Sequence, residues 1–334
     1  MILVTGGTGL VGAHLLYQLT LKEDRIRAIY RTKQRLDAVK KVFSYATDKV
    51  DTAFNKIEWI QADITETTSL EKVFKDVTIV YHAAALVSFD SKDYRKMRQV
   101  NIDGTANIVN FCIAGKVQKL CFVSSIAAVG DTISGEEITE ENEWSVSKGS
   151  NGYSITKHGA EMEVWRASQE GIDVVIVNPG VILGAGFWKV NTGLFFSKVA
   201  NGFKYYTKGV TGYVGVKDVA KAMIDLVESR VVNERFILVS ENVSFRFIFN
   251  EIAKQLNRKS PSIKIPKWFT SVLWRVDYLV SKLVRKSQLL TKEAATSLHN
   301  TSKYSSKKIQ TEIGFKFTSV ADVIFDVCKN YPKN

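Results

Sequence analysis

The sequence predicts an α/β fold, in which a doubly wound parallel sheet is followed by a smaller, mostly helical C-terminal lobe. Short apolar runs alternate with longer helical patterns over the first two-thirds of the chain, as a parallel sheet with crossover helices requires. A glycine-rich segment follows the first apolar run, and a long polar loop at 131–152 follows the fifth. Open parallel sheets place their binding sites at such strand ends, so these loops are where function is expected.

The individual elements follow from periodicity and from the flanking turn residues. Strands are predicted at 2–4, 26–30, 57–60, 78–82, 120–123, 174–177 and 236–239. Helices are predicted at 12–20, after the second strand as far as 42, and at 70–74, 94–114 and 153–169. From Gly180 onward the alternation loosens, and the chain after Ser244 is mostly helical and basic.

These patterns predict two domains. Residues 1–240 form the sheet domain, with insertions around 181–212 that belong to the second lobe. Residues 241–334 form that smaller lobe, which covers the carboxyl edge of the sheet and binds the substrate.

The composition, 45% hydrophobic and 24% charged, is that of an ordinary globular protein. A net charge of +12 would suit nucleic acid, a membrane surface, or an acidic cofactor and substrate. Nucleic acid is disfavoured because the basic residues are spread along the chain without a recognised nucleic-acid module. The three cysteines lack paired or metal-ligand spacing, which indicates a reducing compartment and no metal site. No segment is typical of a signal peptide or a transmembrane span, so we expect a cytoplasmic protein with a small-molecule substrate.

The segment after the first strand, residues 5–12, reads TGGTGLVG and opens a helix. One glycine allows a tight turn, one lets the backbone approach a pyrophosphate, and one permits close packing of helix on strand. The helix amino terminus would offer free N–H groups to the phosphates. The residues predicted here to bind a dinucleotide are Gly6, Thr8, Gly9, Leu10, Val11 and Gly12. The alternative is an ordinary glycine turn.

The end of the second strand distinguishes the two nicotinamide cofactors. An acidic residue there would bind the adenosine ribose, whereas an arginine accommodates a 2′-phosphate. The sequence has Arg31, Thr32 and Arg35, with no acid before Asp37. Arg31 is therefore predicted to contact the phosphate with support from Thr32 and Arg35, and NADP is favoured while NAD stays open. The alternative is that these bases only form a solvated loop.

A tyrosine and a lysine four residues apart share one face of a helix. The spacing occurs five times, at Tyr45/Lys49, Tyr153/Lys157, Tyr213/Lys217, Tyr278/Lys282 and Tyr304/Lys308. Position in the alternation selects Tyr153 and Lys157, because they follow a strand that ends in hydroxyls, Ser124 and Ser125. A nearby ammonium favours the phenolate, so such a phenol can exchange protons, and a serine hydroxyl can stabilise charge on a carbonyl oxygen. Ser125, Tyr153 and Lys157 are the predicted catalytic residues.

In order along the chain, these motifs resemble those of the extended short-chain dehydrogenase/reductase superfamily, which has a Rossmann fold and includes the NAD-dependent epimerase/dehydratase family. The resemblance covers about the first 180 residues. The matching segments are TGGTGLVG at 5–12, DI at 63–64, HAA at 82–84, NIDGT at 101–105, SS at 124–125, YSITK at 153–157 and NPG at 178–180.

The resemblance implies further roles in cofactor binding. Asp63 and Ile64 would hold the adenine, Lys157 would bind the nicotinamide ribose, and the region of Pro179 and Val181 would face the carboxamide. Of the two serines, Ser125 fits the pattern better, five residues before a glycine, while Asn101 and His82 are expected to be mainly structural. Beyond the glycine loop, the implied cofactor-binding set is Arg31, Arg35, Asp63, Ile64, Ala83, Ala84, Ala85, Asn101, Ser124, Pro179, Gly180 and Val181.

Segments 27–31 and 178–184 most resemble the dihydroflavonol-reductase-like branch, which implies NADPH-linked reduction of a ketone or aldehyde to an alcohol. A nucleotide-sugar epimerase or dehydratase is the alternative, although the acid it predicts at the end of strand two is absent. A sterol-type dehydrogenase also shares the trio. A non-catalytic cofactor sensor is disfavoured because both Tyr153 and Lys157 are present.

Segment 268–290 carries an apolar stripe at helical spacing, flanked by basic residues. It suits either an interfacial helix on an anionic membrane or a core-facing helix or lid of the small lobe, and the second is favoured. The superfamily resemblance also predicts a homodimer through the helix at 94–114 and the helix that begins at Tyr153.

Overall fold

The computed structural model describes residues 1–132, 135–145, 151–284 and 291–332. The strands in chain order are β1 (Ile2–Thr5), β2 (Ile26–Tyr30), β3 (Ile57–Gln61), β4 (Ile79–His82), β5 (Lys119–Val123), β6 (Asp173–Pro179), β7 (Val181–Leu183), β8 (Tyr205–Tyr206), β9 (Val210–Gly215), β10 (Glu234–Leu238), β11 (Glu241–Ser244) and β12 (Ile263–Lys264). The α-helices are α1 (Leu10–Thr20), α2 (Leu36–Phe43), α3 (Val50–Phe54), α4 (Thr67–Leu70), α5 (Tyr94–Arg98), α6 (Gly104–Ala114), α7 (Gly152–Gln169), α8 (Gly193–Ala200), α9 (Val216–Glu228), α10 (Phe245–Gln255), α11 (Lys267–Val284), α12 (Lys292–Ser297), α13 (Lys307–Ile313) and α14 (Val320–Lys329).

Seven strands form a parallel central sheet in the order β10-β6-β5-β4-β1-β2-β3. The chain builds outward from β1 to β3 and then returns to add β4, β5 and β6 on the other side. The carboxyl ends of β1 and β4 therefore flank the point where strand order reverses, and open α/β sheets bind ligands in that crevice. The predicted doubly wound Rossmann architecture is confirmed.

Two apolar layers hold the sheet between helices. On one face the core includes Leu15 and Leu16 of α1 and Met223 of α9, all fully buried. On the other face Ile108 of α6 and Val164 of α7 are equally inaccessible. Full burial of one such side chain contributes roughly 1.5–3 kcal/mol, so these layers fix the strand ends on which the site is built.

Several elements differ from the sequence prediction. The helix expected at 94–114 is interrupted by a π-helical turn over Gln99–Asp103, which separates α5 from α6. The short helix expected at 70–74 ends at Leu70, as α4. Helix α9, packed against α1, and the small sheet β11-β9-β7 lie where the alternation loosens, and the periodicity did not indicate them.

The apolar stripe of α11 faces outward, which contradicts the core-facing helix. That the helix is a lid of the small lobe stays a prediction. Trp268 is 68% exposed and Leu279 is 60% exposed. Among the side chains of α11 that the structure describes, 267–281, the buried ones are polar, Thr270 and Ser281. Residues 285–290 of the predicted stripe lie outside the described residues. Among the described residues, no helix has the length and apolar character needed to cross a membrane.

Candidate active site

The glycine loop joins β1 to α1 and is held by close backbone contacts. Gly6 has φ +70°, and a Cβ there would lie 2.5 Å from the carbonyl carbon of Ala83. A Cβ on Gly12 would lie 2.2 Å from the carbonyl oxygen of Gly6. Side chains at either position would force the loop apart, because the first needs a left-handed backbone and both need a close approach. The loop therefore lies flat against the end of β4.

The amino terminus of α1 is open to a ligand. Its N-cap is Gly9, and among the described residues no side chain caps the free N–H groups. The first turn carries no acidic residue. Thr8, Gly9, Leu10 and Val11 are all partly accessible. Unsatisfied N–H groups at a positive helix end, beside glycines that allow close approach, suit a pyrophosphate, so these residues fit a dinucleotide cofactor.

The ends of β2 and β3 meet beside this loop. Arg31 is half exposed, and its guanidinium lies 3.8 Å from the carboxylate of Asp63. The other Asp63 oxygen accepts hydrogen bonds from the backbone and hydroxyl of Thr65. Arg35 is exposed at the end of a short 3₁₀ turn. The predicted phosphate contact Arg31 and the predicted adenine contact Asp63 are thus brought together.

Buried hydrogen bonds fix the end of β4. The Nδ1 atom of His82 lies 2.6 Å from the Thr5 hydroxyl, and its Nε2 atom lies 3.0 Å from that of Thr105. Thr105 donates to the carbonyl of Asn101, so His82 donates from Nε2 and accepts from Thr5. Burial, together with the smaller effect of the nearby Lys157 charge, lowers the pKa of His82 to about 3. His82 is a neutral link between strands, as expected.

The remaining predicted groove residues line the strand ends around this point. Ala83 and Ala84 are partly accessible and Ala85 is exposed. Ile64 is buried against Gly104. Pro179 is buried at the end of β6, whereas Gly180 and Val181 are partly accessible. Asn101 holds the backbone of Leu86 through two hydrogen bonds and reaches Thr156 of α7, so it ties the segment after β4 to that helix.

Ser125, Tyr153 and Lys157 come together between β5 and α7. Ser125 follows β5, and its hydroxyl accepts a hydrogen bond from the backbone of Ala127. A capping box formed by Asn151 and Ser154 begins α7, which places Tyr153 in its first turn. The Ser125 hydroxyl lies near enough to the Tyr153 phenol to lower the pKa of that phenol. Lys157, one turn later, donates to the carbonyl of Val123 at 2.7 Å.

The surroundings set the protonation of this trio. Burial raises the pKa of the Tyr153 phenol, and the nearby Ser125 hydroxyl acts in the opposite direction. Burial lowers the pKa of Lys157 to about 7, and the nearby Glu161 carboxylate opposes that change. The Lys157 ammonium also lies 4.3 Å from the ring centre of Phe122. A protonated phenol beside a lysine that titrates near neutrality is a proton-transfer arrangement.

Ser124 has a different role from its neighbour. Its hydroxyl donates to Glu161 at 2.6 Å, and Glu161 is fully buried. The same carboxylate accepts from Asn178 and forms an ion pair with Arg235 at 3.3 Å. This buried network fixes the ends of β5 and β6 behind the trio, whereas the accessible hydroxyl is that of Ser125.

The sequence interpretation missed Glu161 and Arg235. Arg235 of β10 also donates to the carbonyls of Glu140 and Asn142, so it holds the polar loop that follows β5. Two signals were present. Glu161 stands four residues after Lys157 on the same helix face, and Arg235 is a charge directly before the apolar run 236–239.

The structure shows which of the five tyrosine–lysine pairs lie together on one helix. Tyr213 lies on β9 while Lys217 lies on α9, and Tyr45 and Tyr304 lie outside helices. Both members share one helix only for Tyr153/Lys157 and Tyr278/Lys282. Of these two helices, α7 is the one that packs on the central sheet. It contacts β6, and its Lys157 bonds to the carboxyl end of β5, at the sheet edge that also carries the glycine loop.

A cavity of about 440 Å³ lies elsewhere, between α1, α9 and α14. Its lining includes His14 and Lys217, but none of the three trio residues. Burial lowers the pKa of His14 to about 4, and the ring lies 3.1 Å from the carbonyl of Ala185. The three predicted catalytic residues therefore lie outside this cavity.

Comparison with known proteins gives concordant matches. A model of an NAD-binding family described as “Male sterility protein” matches residues 4–260. The UDP-glucose 4-epimerase of Vibrio cholerae is 28% identical over 307 residues, 88% of this chain and 85% of the relative. The dihydroflavonol 4-reductase of Arabidopsis thaliana is 25% identical over 288 residues, 81% of this chain and 72% of the relative. The solved structure of gox2253 has a TM-score of 0.80 at 25% identity and covers 99% of this chain and 97% of its own.

Proposed function

Because the chain belongs to the NAD-binding family described as “Male sterility protein”, and with it to the extended short-chain dehydrogenase/reductase superfamily of NAD(P)-dependent enzymes, we propose that it is an NADPH-linked reductase. Its substrate would be a ketone or aldehyde, reduced to an alcohol. The observation that carries the proposal is the placement of Lys157, buried and bonded to the carbonyl of Val123 at 2.7 Å, one helical turn after Tyr153 and beside the strand that Ser125 follows.

The trio residues have distinct roles in this proposal. Tyr153 donates a proton to the carbonyl oxygen, and its raised pKa keeps the phenol protonated at neutral pH. Ser125 donates a hydrogen bond to the same oxygen as charge develops there. Lys157 would hold a ribose hydroxyl of the cofactor and, while protonated, favours the phenolate that remains. A nicotinamide bound at this site would supply the hydride for the carbonyl carbon.

The proposed cofactor residues divide between two sheet regions. The glycine loop and α1 would hold the pyrophosphate, with Arg31 and Arg35 at the 2′-phosphate of NADP. Asp63, Ile64 and the segment of Ala83 to Ala85 would line the adenosine side, and Asn101, Ser124 and Pro179 to Val181 the nicotinamide side. The lobe of residues 241–334, with insertions around 181–212, would bind the substrate.

The cofactor preference is tested by Arg31→Asp. A charge-assisted hydrogen bond contributes about 1.5–3 kcal/mol, so the variant should bind NADPH roughly 10–100-fold more weakly, with NADH affinity nearly unchanged. Arg25→Asp, at the other end of β2, is the matched control. The measurement is fluorescence titration with each cofactor, alongside a screen of carbonyl compounds for NADPH oxidation. Equal weakening for NADH and NADPH would reject the phosphate assignment.

Epimerisation of a nucleotide sugar is the second candidate, favoured by the relative from Vibrio cholerae that spans most of this chain. It shares the trio but retains its cofactor, so it needs none added. Conversion of UDP-glucose to UDP-galactose without added NADPH, together with no carbonyl substrate in the screen, would replace the reductase proposal. A sterol-type dehydrogenase would instead appear in the screen as activity on hydroxysteroids.

A further inference from the structure

Helix α11 turns its apolar side chains to solvent and its polar side chains inward, the reverse of an ordinary amphipathic helix. We define the outer face of α11 by its exposed apolar side chains: Trp268, Phe269, Val272, Leu273, Val276, Leu279 and Val280, which are 42–68% exposed. They recur at three- and four-residue spacing and so form one stripe. Ordinary surface helices bury such a stripe, so this one needs an apolar partner outside the chain.

The inner face of α11 explains why the helix cannot simply roll over. Thr270 is 2% exposed and its hydroxyl lies 2.9 Å from the Nε2 atom of His299. Ser281 is 5% exposed and donates to the carbonyl of Tyr278. The helix packs through this polar side on α12. Turning the stripe inward would move Thr270 away from His299, and the hydrogen bond between them would be lost.

The apolar surface extends beyond the helix. Ile263 of β12 pairs in register with Tyr205 of β8, and both are about half exposed. β12 leads into α11 through only two residues, Ile265 and Pro266. Two more exposed apolar side chains therefore lie on the strands that directly precede α11.

Basic residues surround this region. Residues 252–292 contain ten lysines and arginines and a single acid, Asp277. Lys204, Lys264, Lys267 and Arg275 are all exposed. Lys264 and Lys267 lie near enough to His299 to lower its pKa, after the larger effect of burial. With ten basic residues and one acid, residues 252–292 hold most of the net charge of +12.

We propose that the outer face of α11, with its basic rim, is a site at which the protein docks on an anionic lipid bilayer. Apolar side chains that include a tryptophan and a phenylalanine, bordered by lysine and arginine, suit the boundary between headgroups and acyl chains. A second copy of the chain would bring the same positive charge against itself, which opposes self-association. The helix lies on the membrane and does not span it.

The test uses the full-length protein and flotation with two kinds of vesicle, pure phosphatidylcholine and phosphatidylcholine with about 30% phosphatidylserine. The wild type should float with the anionic vesicles at low salt and detach at high salt, because each basic residue contributes roughly fivefold to partitioning and salt screens that attraction. Failure to float with anionic vesicles, or equal binding to both kinds, would overturn the proposal.

Variants locate the site. Val272→Glu with Leu279→Glu should reduce anionic-vesicle binding at least about tenfold, because two charges would enter the apolar layer. The matched control is Leu21→Glu with Val190→Glu, since both residues are exposed and lie outside α11. Lys264→Glu with Lys267→Glu should weaken binding at low salt only, against Lys72→Glu with Lys96→Glu as control.

Two readouts keep this result separate from the reductase proposal. Cofactor titration should be unchanged in the α11 variants, which shows that they fold, and vesicle binding does not depend on any substrate. In sedimentation velocity, Leu279→Glu should have the same oligomeric state as the wild type. A dimer that Leu279→Glu dissociates, without vesicle binding, would assign the face to a second copy and reject the lipid site.

Discussion

Helices α7 and α11 are both 18 residues long and both carry a tyrosine and lysine four residues apart, yet their environments are opposite. α7 buries charge, since Lys157 is 2% exposed and Glu161 fully buried. α11 exposes apolar surface and buries hydroxyls. The comparison teaches that a local pattern does not determine chemistry. The elements packed around α7 bury its lysine, whereas the Tyr278 side chain of α11 is 47% exposed.

The largest expected effect separates the two tyrosines. Tyr153→Phe removes the proposed proton donor and should lower kcat by roughly 10²–10⁴-fold, with NADPH affinity nearly intact. Tyr278→Phe makes the same chemical change on α11, where the ring is 47% exposed, and should leave kcat unchanged. Steady-state NADPH oxidation measures both. Similar rates in the two variants would show that α7 holds no special phenol.

The next effect concerns the carboxylate behind the trio. Glu161→Ala should lower the free energy of unfolding by about 3–5 kcal/mol, because Arg235 would keep a largely buried charge without its partner. Glu163→Ala, two residues further along α7, removes a partly exposed partner of Arg166 and should cost under about 1 kcal/mol. Urea unfolding of both variants checks this. Comparable losses would mean that the network contributes no more than a surface pair.

The smallest effect is a pH dependence. Since the pKa of Lys157 is lowered from 10.5 to about 7 in the folded protein, the unfolded chain holds more protons between those values. Stability should therefore rise with pH across this window, and below pH 7 the full cost of the buried ammonium is present. The measurement is the urea midpoint at pH 7 and pH 8.5, for wild type and Lys157→Met.

Only the wild type should gain stability from Lys157 over this interval, so the difference between the two proteins isolates the lysine from other titrating groups. A gain of equal size in Lys157→Met would assign it elsewhere. In that case the folded protein would hold the lysine protonated across this interval, as the unfolded chain does.

The predictable parts of the fold are those that local geometry imposes. The glycine loop was readable because Gly6 and Gly12 have no room for a Cβ, which restricts the residue type at each position. The parallel strands were readable because burial on both faces requires continuous apolar runs, as in 174–177 of β6. Strand ends and the order of elements then indicated where Ser125 and Tyr153 would meet.

The remaining features depend on contacts between distant segments. Thr270 on the inner side of α11 pairs with His299, 29 residues further along the chain. Helical periodicity within α11 cannot reveal such a contact, so it does not show which side of the helix faces inward. The separate roles of Ser124 and Ser125 are set by Glu161, 37 residues further along the chain. Helix α9 has a regular apolar face, but it follows a region in which strands of a second sheet interrupt the alternation.

The π-helical turn over Gln99–Asp103 inserts an extra residue into what would otherwise be one rod. Since each residue of a helix advances about 100°, the insertion rotates α6 relative to α5 by about that angle. Asn101 can thus reach toward Leu86 and Thr156, while Ile108 and Cys112 of α6 still settle against the sheet. The segment from α5 to α6 can therefore bind α7 and the loop after β4 through Asn101 and still pack Ile108 and Cys112 on the sheet.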